Sequence, residues 1–420
     1  MKILIIHQYF LGKDEAGGSR WNQFSHYFAQ AGHEVTVLAG MVHYSRGTKA
    51  PQYKGKFIVR EEIEPNVTVF RCHVSESYNK SFLGRFWAYL SFTFSSLIAG
   101  LFRAKRPDVI IATSPPLTVA PTMWLLSLLR GRPAVFEVRD PWPESAIDTG
   151  VLKSKPIIWL SYRLEALAYR KAAWINVLTP AFVEALVHRK GVSPDKISMI
   201  PNGADLDIMQ PGPRDNAVRT GLGLTGKFVV SYFGAHGRAN RVGQLLDVAE
   251  LMQQQGNDDI RILLVGDGME KPMLTDQARA RGLRSVVFHD SVSKEQVGDY
   301  INASDICTAV LMKNDTFKTV YPNKVFDYMS CKRAIIVAID GVARKLVEDA
   351  GAGVFAEPEN PTAMAEAILR LKADPGLMNR MGESGYQHAC DHYSRRAIGE
   401  RYLDVLNRLA GPSKGHEGTA

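Results

Sequence analysis

YPNKVFDYMSCKRAIIVAIDGVARKLVEDAGAGVFAEPEN, residues Tyr321 to Asn360, is the stretch from which the rest of the chain is best read. Pro322 and Asn323 suit the first turn of a helix, and Lys324 and Asp327 stand three apart on one helical face. Free backbone N–H groups in such a first turn favour an anion, so this helix start is expected to meet a diphosphate. A buried strand, a turn at Gly341 and an acidic helix follow in order. Taken alone, the helix start has a second reading, in which its lysine faces only water.

Outward from this stretch, short β-rich runs alternate with helical patterns in two series. The first comprises Lys2 to Ile6, Glu34 to Ala39, Val67 to Phe70, Val109 to Thr113, Ala134 to Val138 and Ile175 to Thr179. The second comprises Phe228 to Phe233, Ile260 to Val265, Val286 to His289, Ile306 to Leu311, Ala334 to Ala338 and Gly353 to Phe355. Such alternation implies parallel sheets, and hence an α/β chain of two doubly wound, Rossmann-like domains. IPNGADLDIMQPGPRDN, from Ile200 to Asn216, is rich in the residues of a connection. The expected division is 1–203, 204–392, a final helix over 393–410 and a disordered tail over 411–420. Ile398, Tyr402, Val405, Leu406 and Leu409 give that helix an apolar stripe that must dock.

At 420 residues the chain exceeds what one core organises, and 45% apolar with 22% charged is ordinary for a globular protein. A net charge of +8 suits nucleic acid, anionic lipid or phosphorylated substrates. No zinc spacing or RNA-binding motif is visible, so lipid or phosphate is expected and nucleic acid is not. Cys72, Cys307, Cys331 and Cys390 are scattered without a pairing pattern, which fits a reducing cytoplasm. The start MKILIIHQYF is too short an apolar run for a signal peptide and reads as a buried strand.

After the strand at Phe228, YFGAHGRANRVGQLLDVAELM supplies Gly234 and Gly237, then Arg238 and Arg241. The glycines let backbone approach a phosphate that arginine holds; solvated arginines at a helix start are the other reading. ILLVGDGMEKPML places Gly266, Asp267 and Gly268 in a tight turn, where Asp267 either borders a ligand or caps its helix.

This ordered set resembles the retaining glycosyltransferases of family 4, whose donor signature is a P-x-K-x-x-E-Y-M helix, a buried strand, a glycine turn and an acidic helix. The resemblance extends over residues 1 to 410. It implies a GT-B architecture, two domains facing across a cleft at the carboxyl ends of their strands, with the last helix crossing back onto the N-terminal domain. It implies a nucleotide-sugar donor, with Arg238 and Lys324 on opposite sides of the pyrophosphate to stabilise the charge of the leaving group. Asp327 is expected to accept ribose hydroxyls, unless it is merely solvated. The Gly266–Gly268 turn would border base and ribose, and the segment Phe288 to Val292, His289 included, would read the base through its backbone.

The signature's first glutamate falls on Thr319 here, and Asp327 is a shortened second one. Thr319 and its neighbour Val320 are expected to take over contacts to the sugar. DTFKTVYPNK is similar to the branch making bacterial O-antigens, capsules and exopolysaccharides, fucosamine transferases among them. That branch implies UDP, with GDP next, and an N-acetylated hexose. No cofactor is implied, and a divalent metal is dispensable where Arg238 and Lys324 supply the charge.

HQYFLGKDEAGGSRWNQFSHYFAQAGHEVTVLAG resembles the family's opening, in which Gly17 and Gly18 would approach the donor phosphate or form a simple turn. PAVFEVRDPWPESAIDTG clusters Glu137, Arg139, Asp140 and Glu144 about Trp142, and its E-V-R-D-x-W-P-E-S run is similar to the polysaccharide branch. Asp140 is the first candidate to orient an acceptor hydroxyl, Glu144 the second, with Arg139 beside them; a structural Asp140–Arg139 pair is the alternative. A retaining transfer is expected to need no protein nucleophile. A nucleotide-sugar epimerase and a non-catalytic nucleotide-sugar-binding relative are the competing functions.

FWAYLSFTFSSLIAGLF, Phe86 to Phe102, holds 17 residues without a charge between Arg85 and the cluster Arg103, Lys105 and Arg106. It is short for a membrane span, contains Ser91, Thr93, Ser95 and Ser96, and leads directly into a strand. It is a core helix or an interfacial one on an anionic membrane. In the second case the acceptor implied is a polyprenyl-diphosphate-linked sugar at the cytoplasmic leaflet.

Overall fold

The computed structural model describes residues 1–12, 20–42, 47–77 and 82–411. They divide into two compact units, one reaching to Pro201 and resuming at Arg396, the other Asn202–Arg395. The breaks thus fall at Pro201/Asn202 and Arg395/Arg396, two and three residues from the boundaries expected at 203/204 and 392/393. Gly17 and Gly18 lie outside the described residues, as does 412–420 of the expected tail.

The first unit is built on β1 (Lys2–Ile6), β2 (Glu34–Gly40), β3 (Ile58–Glu64), β4 (Val67–Cys72), β5 (Val109–Ser114), β6 (Ala134–Val138), β7 (Trp174–Val177) and β8 (Ile197–Met199). They form one sheet in the order β3-β4-β2-β1-β5-β6-β7-β8. All neighbours are parallel except β3, which pairs antiparallel with β4. The strands buried on both faces, such as VIIATS of β5 and AVFEV of β6, read as continuous apolar runs because helices cover each side. β3 and β8 are additions to the six strands expected, and β3 makes the sheet mixed rather than purely parallel.

The second unit carries β9 (Phe228–Phe233), β10 (Ile260–Val265), β11 (Val286–His289), β12 (Ile306–Val310), β13 (Ala334–Ala338) and β14 (Gly353–Phe355). Their order is β11-β10-β9-β12-β13-β14, parallel throughout. Alternate residues feed two cores: Val230, Tyr232 and Ile262 on one face, Val229, Phe233 and Leu263 on the other.

Both sheets share one topological property. The chain leaves β1 towards β2 and returns on the other side at β5; it leaves β9 towards β10 and returns at β12. The carboxyl ends of β1 and β5, and of β9 and β12, therefore flank the crevice where open α/β sheets bind ligands.

The final helix, Arg395–Ala410, packs into the first unit. Ile398, Tyr402, Val405 and Leu406 of its expected stripe are buried, with Leu403 beside them, and Leu409 is half-buried. The Tyr402 ring meets Trp21 at 5.5 Å and Phe24 at 5.8 Å, both on the helix Arg20–Gln30. At the start of this final helix, Arg395 donates to the carbonyls of Asn202 and Gly203 and fixes the adjoining linker segment.

Candidate active site

In the second unit the crevice beside β9 is shaped by two glycine turns in contact. Gly234 N–H donates to Val265 O, His236 N–H to Asp267 O, and Glu270 N–H to His236 O. Gly266 has φ 151°, and a Cβ there would stand 1.9 Å from the Gly234 carbonyl oxygen; at Gly268 it would stand 2.5 Å from that of His236. Only glycine lets the turns approach this closely. Asp267 spends its carboxylate on its own turn, accepting from Gly268 N–H at 2.8 Å. It does not cap the helix Lys271–Ala280, which starts after Glu270 without a side-chain cap.

Lys324 enters this crevice from the helix Asn323–Ser330, whose N-cap is Pro322. Its Nζ is enclosed, makes no hydrogen bond among the described residues, lies 3.8 Å from the centre of the Tyr232 ring and would touch a Cβ at Gly234 at 3.1 Å. Burial lowers its pKa to about 7. A cation poised without a counter-ion beside a glycine turn and a helix N-terminus is arranged to receive an anion.

His236 stands next to it. The ring is wholly buried between Tyr232 and Phe288, neither nitrogen has a partner among the described residues, and its pKa falls to about 4 through burial first, then the charges of Lys271 and Lys324. No motif marks His236 in the sequence; its one signal is its place between two turn glycines, two positions before Arg238. Arg238 is exposed at the next short turn, and Gly237 before it has ordinary extended backbone with φ −117°. Arg241 adopts a left-handed backbone and its exposed guanidinium lies 3.6 Å from Glu359. That pairing directs it to a protein carboxylate.

The remaining donor-side candidates already hold protein partners. Asp327 accepts from Lys294 Nζ at 2.8 Å, both largely enclosed. The Thr319 hydroxyl donates to Thr316 O at 2.6 Å within its own turn, and Val320 closes that turn in extended conformation. His289 places its Nε2 against Tyr300 OH at 3.2 Å and its Nδ1 against Asp290 O at 2.9 Å. Its carbonyl oxygen accepts from Gly266 N–H and from Lys271 Nζ, which also reaches Gly266 O and Asp290. Lys271 and Lys294 were not foreseen, because a lysine's partner across a sheet leaves no mark in sequence spacing.

In the first unit the expected acceptor cluster separates. Glu137 is fully buried: it accepts from Arg20 at 3.1 Å, Trp21 Nε1 at 3.1 Å and Asn176 at 3.0 Å, and so ties the sheet to the helix Arg20–Gln30. Glu144 is ion-paired with Lys190 at 2.7 Å, which also binds the buried Glu165. Asp140 is solvent-accessible beyond β6 but flanked by enough protein that desolvation raises its carboxyl pKa, a shift the charge of Arg139 opposes, although no ion pair joins the two among the described residues. His7, at the end of β1, is buried against the Thr113 hydroxyl at 3.0 Å; burial and then Arg139 hold its pKa well below the usual histidine value. Among the described residues no group of three or more His, Cys, Asp or Glu is arranged to hold a metal ion.

Comparison with known proteins decides the family. Residues 16–203 match a glycosyl transferase 4-like domain, and residues 227–374 match the glycosyl transferases group 1. The chain is a GT-B glycosyltransferase of the family 4 type. It is 24% identical over 378 residues to a putative colanic acid biosynthesis glycosyl transferase, WcaI, of Escherichia coli, covering 88% of this chain and 91% of that one. It is 27% identical to a probable glycosyltransferase, WbjE, of Pseudomonas aeruginosa, over 74% of this chain and 77% of that one. Among solved structures, Anabaena HepE in complex with UDP-glucose superposes with a TM-score of 0.72 at 18% identity, covering 97% of this chain and 100% of HepE. That likeness shares the fold. For this glycosyltransferase, the Tyr321 to Asn360 stretch lies wholly in the group 1 region, and the β6 cluster lies in the 4-like one.

Proposed function

We propose that this glycosyltransferase moves a hexose, N-acetylated in the polysaccharide branch, from a UDP-sugar to a lipid-linked saccharide in cell-surface polysaccharide synthesis, with retention of anomeric configuration. The observation that carries the donor side is the Lys324 Nζ, without a hydrogen-bond partner among the described residues, beside Gly234 at the switch point of the second sheet. Its similarity to one putative colanic acid biosynthesis glycosyl transferase and its fold neighbour with UDP-glucose favour this substrate class.

In this reading Lys324 and Arg238 neutralise the diphosphate as the glycosidic bond to phosphate breaks, so a divalent metal is not required. The Gly234–Gly237 and Gly266–Gly268 turns admit the phosphates and ribose. Asp327, steadied by Lys294, accepts ribose hydroxyls, while Thr319 and Val320 present turn backbone to the sugar in place of a glutamate. The acceptor hydroxyl, oriented by Asp140 with Arg139 nearby, attacks the face that the nucleotide leaves and passes its proton to the departing phosphate. No protein nucleophile takes part, and a polyprenyl diphosphate carries the acceptor sugar.

The test is a thermal-shift series with UDP, GDP, dTDP and CMP on the wild type and on Lys324→Ala. A ligand at 100 times its Kd stabilises by about 2.7 kcal/mol, and UDP is expected to do so in the wild type alone. Equal stabilisation of the variant would remove Lys324 from the donor site. An α donor yielding a β-linked product by NMR would overturn retention, and loss of turnover in a chelator would overturn the metal-free reading.

A further inference from the structure

In the first unit, the crossovers β4 to β5, β5 to β6 and β6 to β7 all run in one direction along the sheet. Parallel crossovers are right-handed, so their helices lie on one face. Those helices are Phe82–Phe102, Val119–Arg130 and Lys155–Lys171, and they pack side by side in that order. The final helix, by contrast, packs on Arg20–Gln30, whose crossover runs the other way.

The outer surface of this three-helix layer has the polarity of an interior. On the first helix the hydroxyls turn inward: Ser95 donates to His73 O at 2.7 Å, Thr93 to Thr118 O at 2.8 Å, and Ser96 lies against Thr122. Several of its aromatic residues turn outward, with Trp87 58%, Phe94 62% and Phe102 77% exposed, while Phe92 is buried. The neighbouring helices add Leu128, Leu129 and Trp159, each about three-fifths exposed. The second unit, in contrast, exposes only Ile208, Met269 and Met273 among its described large apolar residues.

Charge on the layer is one-sided. The three helices carry Arg85, Arg130, Lys155, Arg163, Arg170 and Lys171, and their one acidic residue, Glu165, is buried against Lys190 and Tyr169. Just past the first helix, a groove is lined by Arg60, Arg103, Lys105 and Phe70, together with Glu34 and Glu62. Lys105 pairs with Glu34 and Arg60 with Glu62, while the Arg103 side chain has no partner among the described residues. Among the described residues no helix is long and apolar enough to cross a membrane.

We propose that this three-helix face is a docking surface for an anionic phospholipid bilayer, its aromatic stripe entering the acyl boundary and its cations meeting headgroup phosphates. A large exposed apolar area is unfavourable in bulk water, and three helices that expose cations while burying their one acid favour anionic lipid over an ordinary protein surface. The proposal deepens the lipid-linked acceptor reading, on which it rests for its biological purpose, but its physical test needs no turnover.

The full chain is sedimented with phosphatidylcholine vesicles and with vesicles containing phosphatidylglycerol, at low and high salt. Binding to the anionic vesicles, weakened by salt, is expected. Combined Trp87→Ser, Phe94→Ser and Trp159→Ser substitution is expected to lower partitioning by about tenfold or more, while the nucleotide thermal shift is kept. Leu128→Glu with Leu129→Glu, which removes apolar area and adds charge of the repelled sign, provides a second variant should the first not fold. Failure of the wild type to bind anionic vesicles at low salt overturns the proposal, as does equal binding by the variants. Concentration-dependent dimerisation abolished by the same substitutions would also overturn it, since the face would then be an interface between copies of the chain. A vesicle-binding protein with no transfer activity would instead fault the functional reading and leave the surface standing.

Discussion

The Lys324 ammonium sits 3.8 Å above the Tyr232 ring, and the Tyr232 hydroxyl donates to Ala235 O at 2.9 Å, so one aromatic residue both faces the cation and braces the turn that receives the anion. An enclosed lysine with a pKa near 7 is largely neutral at pH 8, and a diphosphate beside it restores the charged form. Binding of UDP at pH 8 is therefore expected to take up a proton, and its affinity to fall as pH rises above about 7, approaching tenfold per unit. Titration calorimetry in buffers of different ionisation enthalpy measures the uptake, which Lys324→Ala should abolish. A buffer-independent enthalpy in the wild type would contradict this.

His236 gives a signal in acid. Its folded pKa of about 4 lies below the value of an unfolded histidine, so the unfolded chain binds more protons between about 6.5 and 4 and stability is lost as pH falls through that window. Replacing this ring with phenylalanine removes no hydrogen bond among the described residues. His236→Phe is expected to match the wild type at pH 8 and to exceed it at pH 4 by something on the order of 3 kcal/mol in urea unfolding.

Gly266→Ala tests the contact of the two turns. A Cβ 1.9 Å from the Gly234 oxygen cannot be accommodated without moving backbone, and the positive φ adds strain. A loss of about 3 kcal/mol is expected, with weakened UDP binding in whatever fraction folds. Gly237→Ala, in extended backbone with its nearest foreign atom 3.8 Å away, should leave stability within about 0.5 kcal/mol.

Glu137 is expected to behave as an architectural residue. Glu137→Ala strands the buried Arg20 guanidinium, which keeps the carbonyls of Ile200 and Pro201 and the face of the Phe24 ring but loses its counter-ion. The expected cost is about 3–5 kcal/mol, read from the urea midpoint. If instead stability held while transfer failed, Glu137 would belong with Asp140 in the acceptor site.

The fold was legible where strands are buried on both faces. Short, nearly continuous apolar runs marked β9, β10 and β13 to the residue, the first two ending directly at a glycine, because a parallel strand covered on both faces needs such continuity. β3 escaped because IVREEIE alternates weakly and spends its charges on an edge, and β8 because three residues make no pattern. At the site, residue types and backbone were readable, whereas side-chain commitments were not. Glu137 and Glu144 sit in the same short run as Asp140, but Arg20 and Lys190, far away in sequence, claim them. The unclaimed groups, Lys324 and His236, stand out only once every partner is known.

Two open sheets leave four borders, and each is blunted differently. β3 lines its border with Arg60, Glu61, Glu62 and Glu64, while β8 and β14 offer three residues each and β11 four. A stray extended chain needs a longer uncharged row of free amides and carbonyls to zip onto. A protein that displays so much grease on one helical layer is thereby shielded from fibrous self-association along its sheets, and its stickiness is confined to that layer.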